Sequence, residues 1–132
     1  MDILIAGVET ESRNYVSNVF KKAGYSGVNY HFTKDFEKTR EKINSFQNQS
    51  GKNLDLLLLG VFFGHLNDVD SCVEFARVYS KIPSILLADE RGGEIPKDFE
   101  KIHPPNLVCY FTEFELEKRN LIGCVLRGEN VD

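Results

Sequence analysis

The most pronounced pattern in the chain is a short run of apolar residues with polar turns on both sides. Leu56 to Leu59 are four consecutive leucines, preceded by the polar residues Asn53 and Asp55 and followed by Gly60. A run this short, closed by turn signals, is typical of a strand buried on both faces, as the central strands of parallel sheets are. The pattern therefore predicts a central strand with Gly60 at its carboxyl end, where the sites of open α/β sheets gather.

Four further apolar segments alternate with amphipathic ones. The predicted strands besides the central one are residues 2–8, 28–32, 84–88 and 107–111. Apolar residues at helical spacing predict helices over about 10–23, 33–49, 68–79 and 97–103 and after residue 112. Strict alternation with short connections favours one α/β domain over residues 1–132, with a parallel sheet and helices on both of its faces.

Composition narrows the classes of function. With 132 residues and a net charge of −4, the domain lacks the basic character that phosphate contacts require, so we expect no nucleic-acid binding by it. The longest apolar stretch, residues 56–63, is interrupted by Gly60 and is too short to span a bilayer. The three cysteines are widely spaced and follow no metal-ligand pattern. We expect reduced, buried thiols in a cytoplasmic protein without a signal peptide or membrane contact.

Five βα units in 132 residues are typical of the flavodoxin-like architecture, a doubly wound sheet with strand order 2-1-3-4-5. Within it, four segments resemble strands of response-regulator receiver domains: ILIAGVE at 3–9, LDLLLLG at 54–60, IPSILLAD at 82–89 and CYFTEF at 109–114. KKAGYSGV at 21–28 resembles the turn before the second receiver strand. The resemblance covers essentially the whole chain and implies a role in two-component signal transduction, a phosphorelay or transcription regulation.

The resemblance also implies where a phosphorylation site would lie, and this chain departs from the receiver pattern there. The acidic pair that binds Mg²⁺ falls on Gly7 and Val8, and the phosphoacceptor aspartate falls on Gly60. The hydroxyl position falls on Ala88 and the lysine position on Glu113. Glycine offers no nucleophile, and a glutamate repels the phosphoryl group that a lysine would contact. We therefore expect a degenerate pseudo-receiver that is not phosphorylated, holds no metal or cofactor and is not an enzyme.

Without this chemistry, the resemblance implies function through protein contacts. Receiver domains commonly use the surface of the fourth helix, fifth strand and fifth helix. Here that surface would include Lys97, Lys101, Tyr110, Glu117 and Arg127. Tyr110 occupies the position of the receiver switch aromatic, where it either moves between buried and exposed rotamers or stays packed. The expected partner is a protein: an output domain, a kinase or a second copy in a homodimer.

Several features leave alternatives open. Glu9, Asp89 and Glu113, with Glu90, converge at the predicted carboxyl edge, either as an unorthodox cation site or as a solvated acidic rim. Residues 61–63 (VFF) either fill the vacated pocket or form an exposed apolar patch.

The alternative class of function is a small flavodoxin-like enzyme or ligand-binding protein that uses the carboxyl edge. Such a protein needs a nucleophile, a metal cluster or a phosphate-binding loop. The sequence supplies none of them: His65 has no second ligand nearby, and residues 91–94 (RGGE) lack the spacing of phosphate-binding glycine motifs.

Overall fold

A parallel sheet of five strands forms the centre of the computed structural model, which describes residues 1–7, 10–60, 69–88 and 107–112. The strands are β1 (Asp2–Ala6), β2 (Asn29–Thr33), β3 (Leu56–Gly60), β4 (Ser84–Ala88) and β5 (Leu107–Thr112). Their order in the sheet is β2-β1-β3-β4-β5, and each neighbouring pair is parallel. The described helices are α1 (Thr10–Lys22), α2 (Phe36–Ser50) and α3 (Val69–Val78). This topology confirms the predicted flavodoxin-like fold.

The central strand β3 is buried over its whole length. Leu56 and Leu58 pack on one side of the sheet against α1, with Phe20 among their neighbours. Leu57 and Leu59 pack on the other side in a second cluster that contains Ile43 of α2 and residues of α3. All four leucines are 0% exposed. Each buried leucine contributes about 1.5–3 kcal/mol, so this strand contributes strongly to both layers of the core.

Helix α1 ends in a glycine turn, as the sequence predicts. Gly24 adopts the left-handed conformation (φ 92°). Its N–H donates to the Lys21 carbonyl and the Tyr25 N–H donates to the Phe20 carbonyl, both at 3.1 Å. This pair of bonds is a Schellman motif, which satisfies carbonyls that the end of a helix leaves free. The turn directs the chain into the edge strand β2.

Helix α2 begins later than residue 33, where the sequence placed its start. Thr33 is the last residue of β2, and Asp35 caps the helix by accepting the Lys38 N–H at 2.8 Å. At the other end, Gly51 (φ 69°) closes the helix by donating to the Gln47 carbonyl. The predicted start was wrong because threonine favours strands as well as caps, and the pairing of Thr33 with Ala6 keeps it in the sheet.

A buried hydroxyl pair ties the end of β2 to the first turn of α2. The Thr39 hydroxyl donates to the Asp35 carbonyl at 2.6 Å, which uses its only hydrogen. In the 2.6 Å contact between the hydroxyls of Thr33 and Thr39, Thr33 is therefore the donor. Thr39 is 0% exposed, so this chain of bonds lies inside the core. A buried hydroxyl needs such partners, because losing them costs the free energy of desolvation.

The third helix packs on the sheet through Cys72, Val73, Phe75 and Ala76. The predicted helix over 97–103 and the helix after residue 112 lie outside the described residues. In the part that the structure describes, no helix is long and apolar enough to cross a membrane.

We expect the two buried threonines to be energetically coupled. Thr33→Val and Thr39→Val should each destabilise the fold by about 1–2 kcal/mol, because each breaks the hydroxyl pair. The double variant should cost about 1 kcal/mol less than the sum, since the second substitution removes a partner already lost. Urea denaturation of the four proteins measures this coupling. The matched control combines Thr33→Val with the distant Ser50→Ala, and the free-energy losses of these two substitutions should be additive. Additive losses for the two threonine substitutions would contradict the hydrogen bond between them.

Tyr30 of β2 lies on the core cluster beside α1 and should make stability depend on alkaline pH. Burial raises the pKa of the Tyr30 phenol above its ordinary value of 10.0, and its hydroxyl is 3.4 Å from the Ser17 carbonyl. As pH rises, the phenol therefore ionises first in the unfolded chain. The stability that Tyr30 contributes is complete below pH 10 and is lost as pH rises through the pKa of the phenol in the folded protein. The melting temperature of the wild type should fall more steeply above pH 10 than that of Tyr30→Phe. Parallel curves for the two proteins would refute this linkage.

Candidate functional site

The carboxyl ends of the strands meet along one edge of the sheet, which is the candidate site. Ala6, at the end of β1, is in register with Leu59 on one side and Thr33 on the other. Gly60, at the end of β3, is in register with Leu87. The edge continues with Ala88 opposite Thr112, the last residue of β5. In a parallel sheet this alignment brings the residues that follow each strand close together.

Three of the positions singled out by the sequence lie at this edge. Gly7 directly follows β1, Gly60 is the last residue of β3, and Ala88 is the last residue of β4. None of the three carries a side chain larger than a methyl group, so none can ligate a metal or attack phosphorus. The other two positions, Val8 and Glu113, lie outside the described residues.

The backbone conformation at residue 7 is one that favours glycine. Gly7 is buried and left-handed (φ 71°). Its N–H donates to the Thr33 carbonyl at 2.9 Å, which extends the contact between β1 and β2 by one residue beyond the paired strands. Residues with a Cβ rarely adopt this conformation, although asparagine and aspartate tolerate it better than the others. The turn after β1 therefore favours the residue without a side chain.

Beside Gly7, the polar groups at the end of β2 are already satisfied internally. The Thr33 carbonyl accepts from Gly7, and the Thr33 hydroxyl donates to Thr39. Thr39 in turn donates to Asp35, so neither hydroxyl has a hydrogen left for a ligand. Sequence analysis did not select Thr39. The signal was present, since it lies three residues after Phe36 and four before Ile43, on the apolar stripe of α2.

A group of polar contacts around Asp2 lies at the opposite, amino edge. The Asp2 N–H donates to Asp55 Oδ2 at 2.7 Å, and Asp2 Oδ1 lies 3.2 Å from His31 Nε2. These contacts join the starts of β1 and β3 to the middle of β2. Within residues 1–7, 10–60, 69–88 and 107–112, no group of three His, Cys, Asp or Glu side chains could hold a metal ion.

Two surface clefts of the described residues also lie at the amino edge. One is formed by the turns before β3 and β4, including Lys52, Asn53 and Lys81. The other is formed by the turn between α1 and β2, including Tyr25 and Tyr30. Neither cleft contains a residue of the carboxyl edge.

Most residues of the predicted partner surface and acidic rim are not described by the structure. Tyr110 lies in β5, where its backbone is in register with Leu86. The remaining residues of the partner surface and acidic rim lie outside the described ranges: Glu9, Asp89, Glu90, Lys97, Lys101, Glu113, Glu117 and Arg127, as do His65 and residues 61–63 and 91–94. Their roles stay predictions.

We expect the left-handed backbone at Gly7 to set the order of stability among its variants. Gly7→Ala should destabilise the fold by at least about 1–2 kcal/mol, the cost of a Cβ in this conformation, and Gly7→Asn should cost less. Gly51 is the matched control because its φ is 69° and nothing lies within 4 Å of an added Cβ. Gly51→Ala therefore measures backbone strain alone. If chemical denaturation shows Gly7→Ala to be as stable as the wild type, the assigned conformation is wrong.

Comparison with known proteins supports the fold. No family model and no curated protein sequence matches this chain. Among solved structures, the N-terminal domain of a response regulator/sensory box/GGDEF protein from Carboxydothermus hydrogenoformans is similar with a TM-score of 0.64 and 16% identity, covering 96% of this chain and 94% of that one.

A signal receiver domain of an HD domain-containing protein from Pseudomonas fluorescens Pf-5 is similar with a TM-score of 0.60 and 16% identity, covering 97% and 98% of the two chains. The response regulator RcsB of Salmonella typhimurium is similar with a TM-score of 0.66 and 11% identity, covering all of this chain and 62% of RcsB. At these identities the likeness concerns the backbone. The chain has the fold of response-regulator receiver domains.

Proposed function

We propose that this chain is a receiver-like signalling domain that is not phosphorylated and acts through contacts with proteins. Two kinds of observation support the proposal. The backbone has the fold of receiver domains over nearly its whole length. The residue that ends the central strand is Gly60, at the edge where such sheets carry their chemistry.

Gly60 is the observation that carries the proposal, because aspartyl phosphorylation begins with a carboxylate. In that reaction a carboxylate oxygen forms a bond to phosphorus while the bond between phosphorus and the donor breaks. The neighbouring positions Gly7 and Ala88 contribute no metal ligand and no hydroxyl. The resemblance of the sequence to receiver domains adds Val8 in place of the second acidic residue and Glu113 in place of the lysine, and neither would stabilise the charge of a phosphoryl group.

The partner surface is proposed from the same resemblance. It consists of Lys97, Lys101, Tyr110, Glu117 and Arg127, on the fourth helix, fifth strand and fifth helix of the receiver arrangement. Its partner would be an output domain, a kinase or a second copy, in two-component signalling or transcription regulation. The net charge of −4 gives no support to direct nucleic-acid binding by this domain.

The alternative, a small enzyme or ligand-binding protein, requires a functional group at the carboxyl edge. At that edge Gly7 and Gly60 have no side chain, Ala6 and Ala88 have a methyl group, and the hydroxyls of Thr33 and Thr39 are bonded internally. No observation in the described part of the chain favours this alternative over a signalling module.

We expect no phosphorylation of the purified protein by small phosphodonors. After incubation with acetyl phosphate and Mg²⁺, intact-mass spectrometry should show the unmodified mass, because position 60 provides no carboxylate. A receiver domain with an intact phosphoacceptor aspartate, treated in the same reaction, serves as the positive control.

NMR extends this test to binding without reaction. Titration with Mg²⁺ and the phosphoryl mimic beryllofluoride should leave the amide signals of Gly7 and Gly60 unchanged. A phosphoryl adduct on the protein, or saturable shifts centred on these two glycines, would count against the proposal.

A further inference from the structure

Strand β2 lies at one end of the sheet and has a neighbour on one side, β1. The Asn29 N–H donates to the Met1 carbonyl, and the Thr33 carbonyl accepts from Gly7. Alternate residues of a strand point their backbone groups to opposite sides, so those of Asn29, His31 and Thr33 face β1. The N–H and C=O groups of Tyr30 and Phe32 consequently face away from the sheet, as at an open edge.

Three of the usual protections against pairing are absent from β2. Proteins commonly shield an edge strand with proline, lysine or a bulge, and β2 (NYHFT) has no proline and no lysine. Its pairing with β1 runs over all five residues without a register shift. Tyr30, His31 and Phe32 are each partly exposed.

The edge is complementary to itself. In an antiparallel pair of β2 strands centred on His31, Tyr30 of one copy lies opposite Phe32 of the other. The backbone groups of both residues face outward, so Tyr30 and Phe32 of the other copy form a hydrogen-bonded pair. The two His31 residues lie opposite each other as a non-hydrogen-bonded pair. This register satisfies the outward groups of Tyr30 and Phe32 in both copies and uses the strand's full length.

We propose that the chain forms a homodimer by antiparallel pairing of β2 with β2 of a second copy, which joins the two sheets. A second copy presents the same strand, so one two-fold operation satisfies the outward groups of Tyr30 and Phe32 in both copies at once. It also sets aromatic side chains opposite each other, which is a favourable cross-strand pair. The proposal is separate from the proposed function, since it uses neither the carboxyl edge nor the surface around Tyr110.

The dimer should be weak and concentration-dependent. Five residues a side bury on their own less than the roughly 1,200 Å² of the smaller stable interfaces. Sedimentation velocity over a concentration series should therefore show exchange between monomer and dimer. His31→Lys places two like charges opposite each other on the two-fold axis, while each lysine can still pair with Asp2 of its own copy. It should weaken dimerisation about tenfold or more.

Val78→Lys is the control for association through another surface. Val78 is the large hydrophobic side chain that is most exposed in the described residues, at 71%, and it lies on α3. The Val78→Lys variant should dimerise as the wild type does. A wild type that is monomeric throughout the series would overturn the proposal. So would a dimer that Val78→Lys abolishes and His31→Lys leaves intact.

Disulfide trapping tests the register directly. The two His31 Cα atoms would lie about 4.5 Å apart across the dimer, which is within the range that a disulfide bridges. Under mild oxidation, His31→Cys should form a covalent dimer, and peptide mapping should join two copies of the peptide that contains residue 31.

Lys34→Cys is the matched control. Lys34 is exposed just beyond the same strand. In this register it lies opposite Val28, so its two copies are about 20 Å apart and cannot be linked. Circular dichroism and thermal melting check that both variants fold. Equal linking of the two variants, or failure of His31→Cys to link, would rule out the proposed pairing.

Discussion

Burial of β3 on both faces is the constraint on which the structure depends. Its four leucines alternate between the layer beside α1 and the layer beside α2 and α3, and none is exposed. A slip of one residue would exchange the two sets of side chains, so the register with β1 and β4 is strongly specified. That register in turn brings Gly60 to the carboxyl edge, in line with the ends of β1 and β4.

The carboxyl edge is organised by backbone and hydroxyl contacts. Gly7 is left-handed and bonded to Thr33, and Thr33 is bonded to Thr39, which closes on the cap of α2. These bonds hold β1, β2 and α2 together without leaving a donor for a ligand. The same bonds therefore stabilise the end of β2 and use the hydroxyl hydrogens of Thr33 and Thr39.

If the carboxyl edge provides no chemistry, surfaces decide what the domain does. The proposed partner surface around Tyr110 and the open edge of β2 lie at opposite ends of the sheet order. A dimer through β2 would leave the β5 end of each copy available to a second protein. Pairing of copies and recognition of a partner would then be independent events, because they use different strands.

The local pattern of the sequence was sufficient to predict the fold and the place of Gly60 at the end of the central strand. An uninterrupted apolar strand must be buried on two faces whatever surrounds it. The resemblance to receiver domains supplied the other edge positions, and the structure aligns Gly7 and Ala88 with Gly60. The start of α2, the buried role of Thr39 and the contact of Asp2 with His31 required the tertiary structure. A threonine suits a strand, a cap or a core hydroxyl equally well by itself, and Asp2 and His31 are 29 residues apart. Their states are decided by the strands that pack beside them.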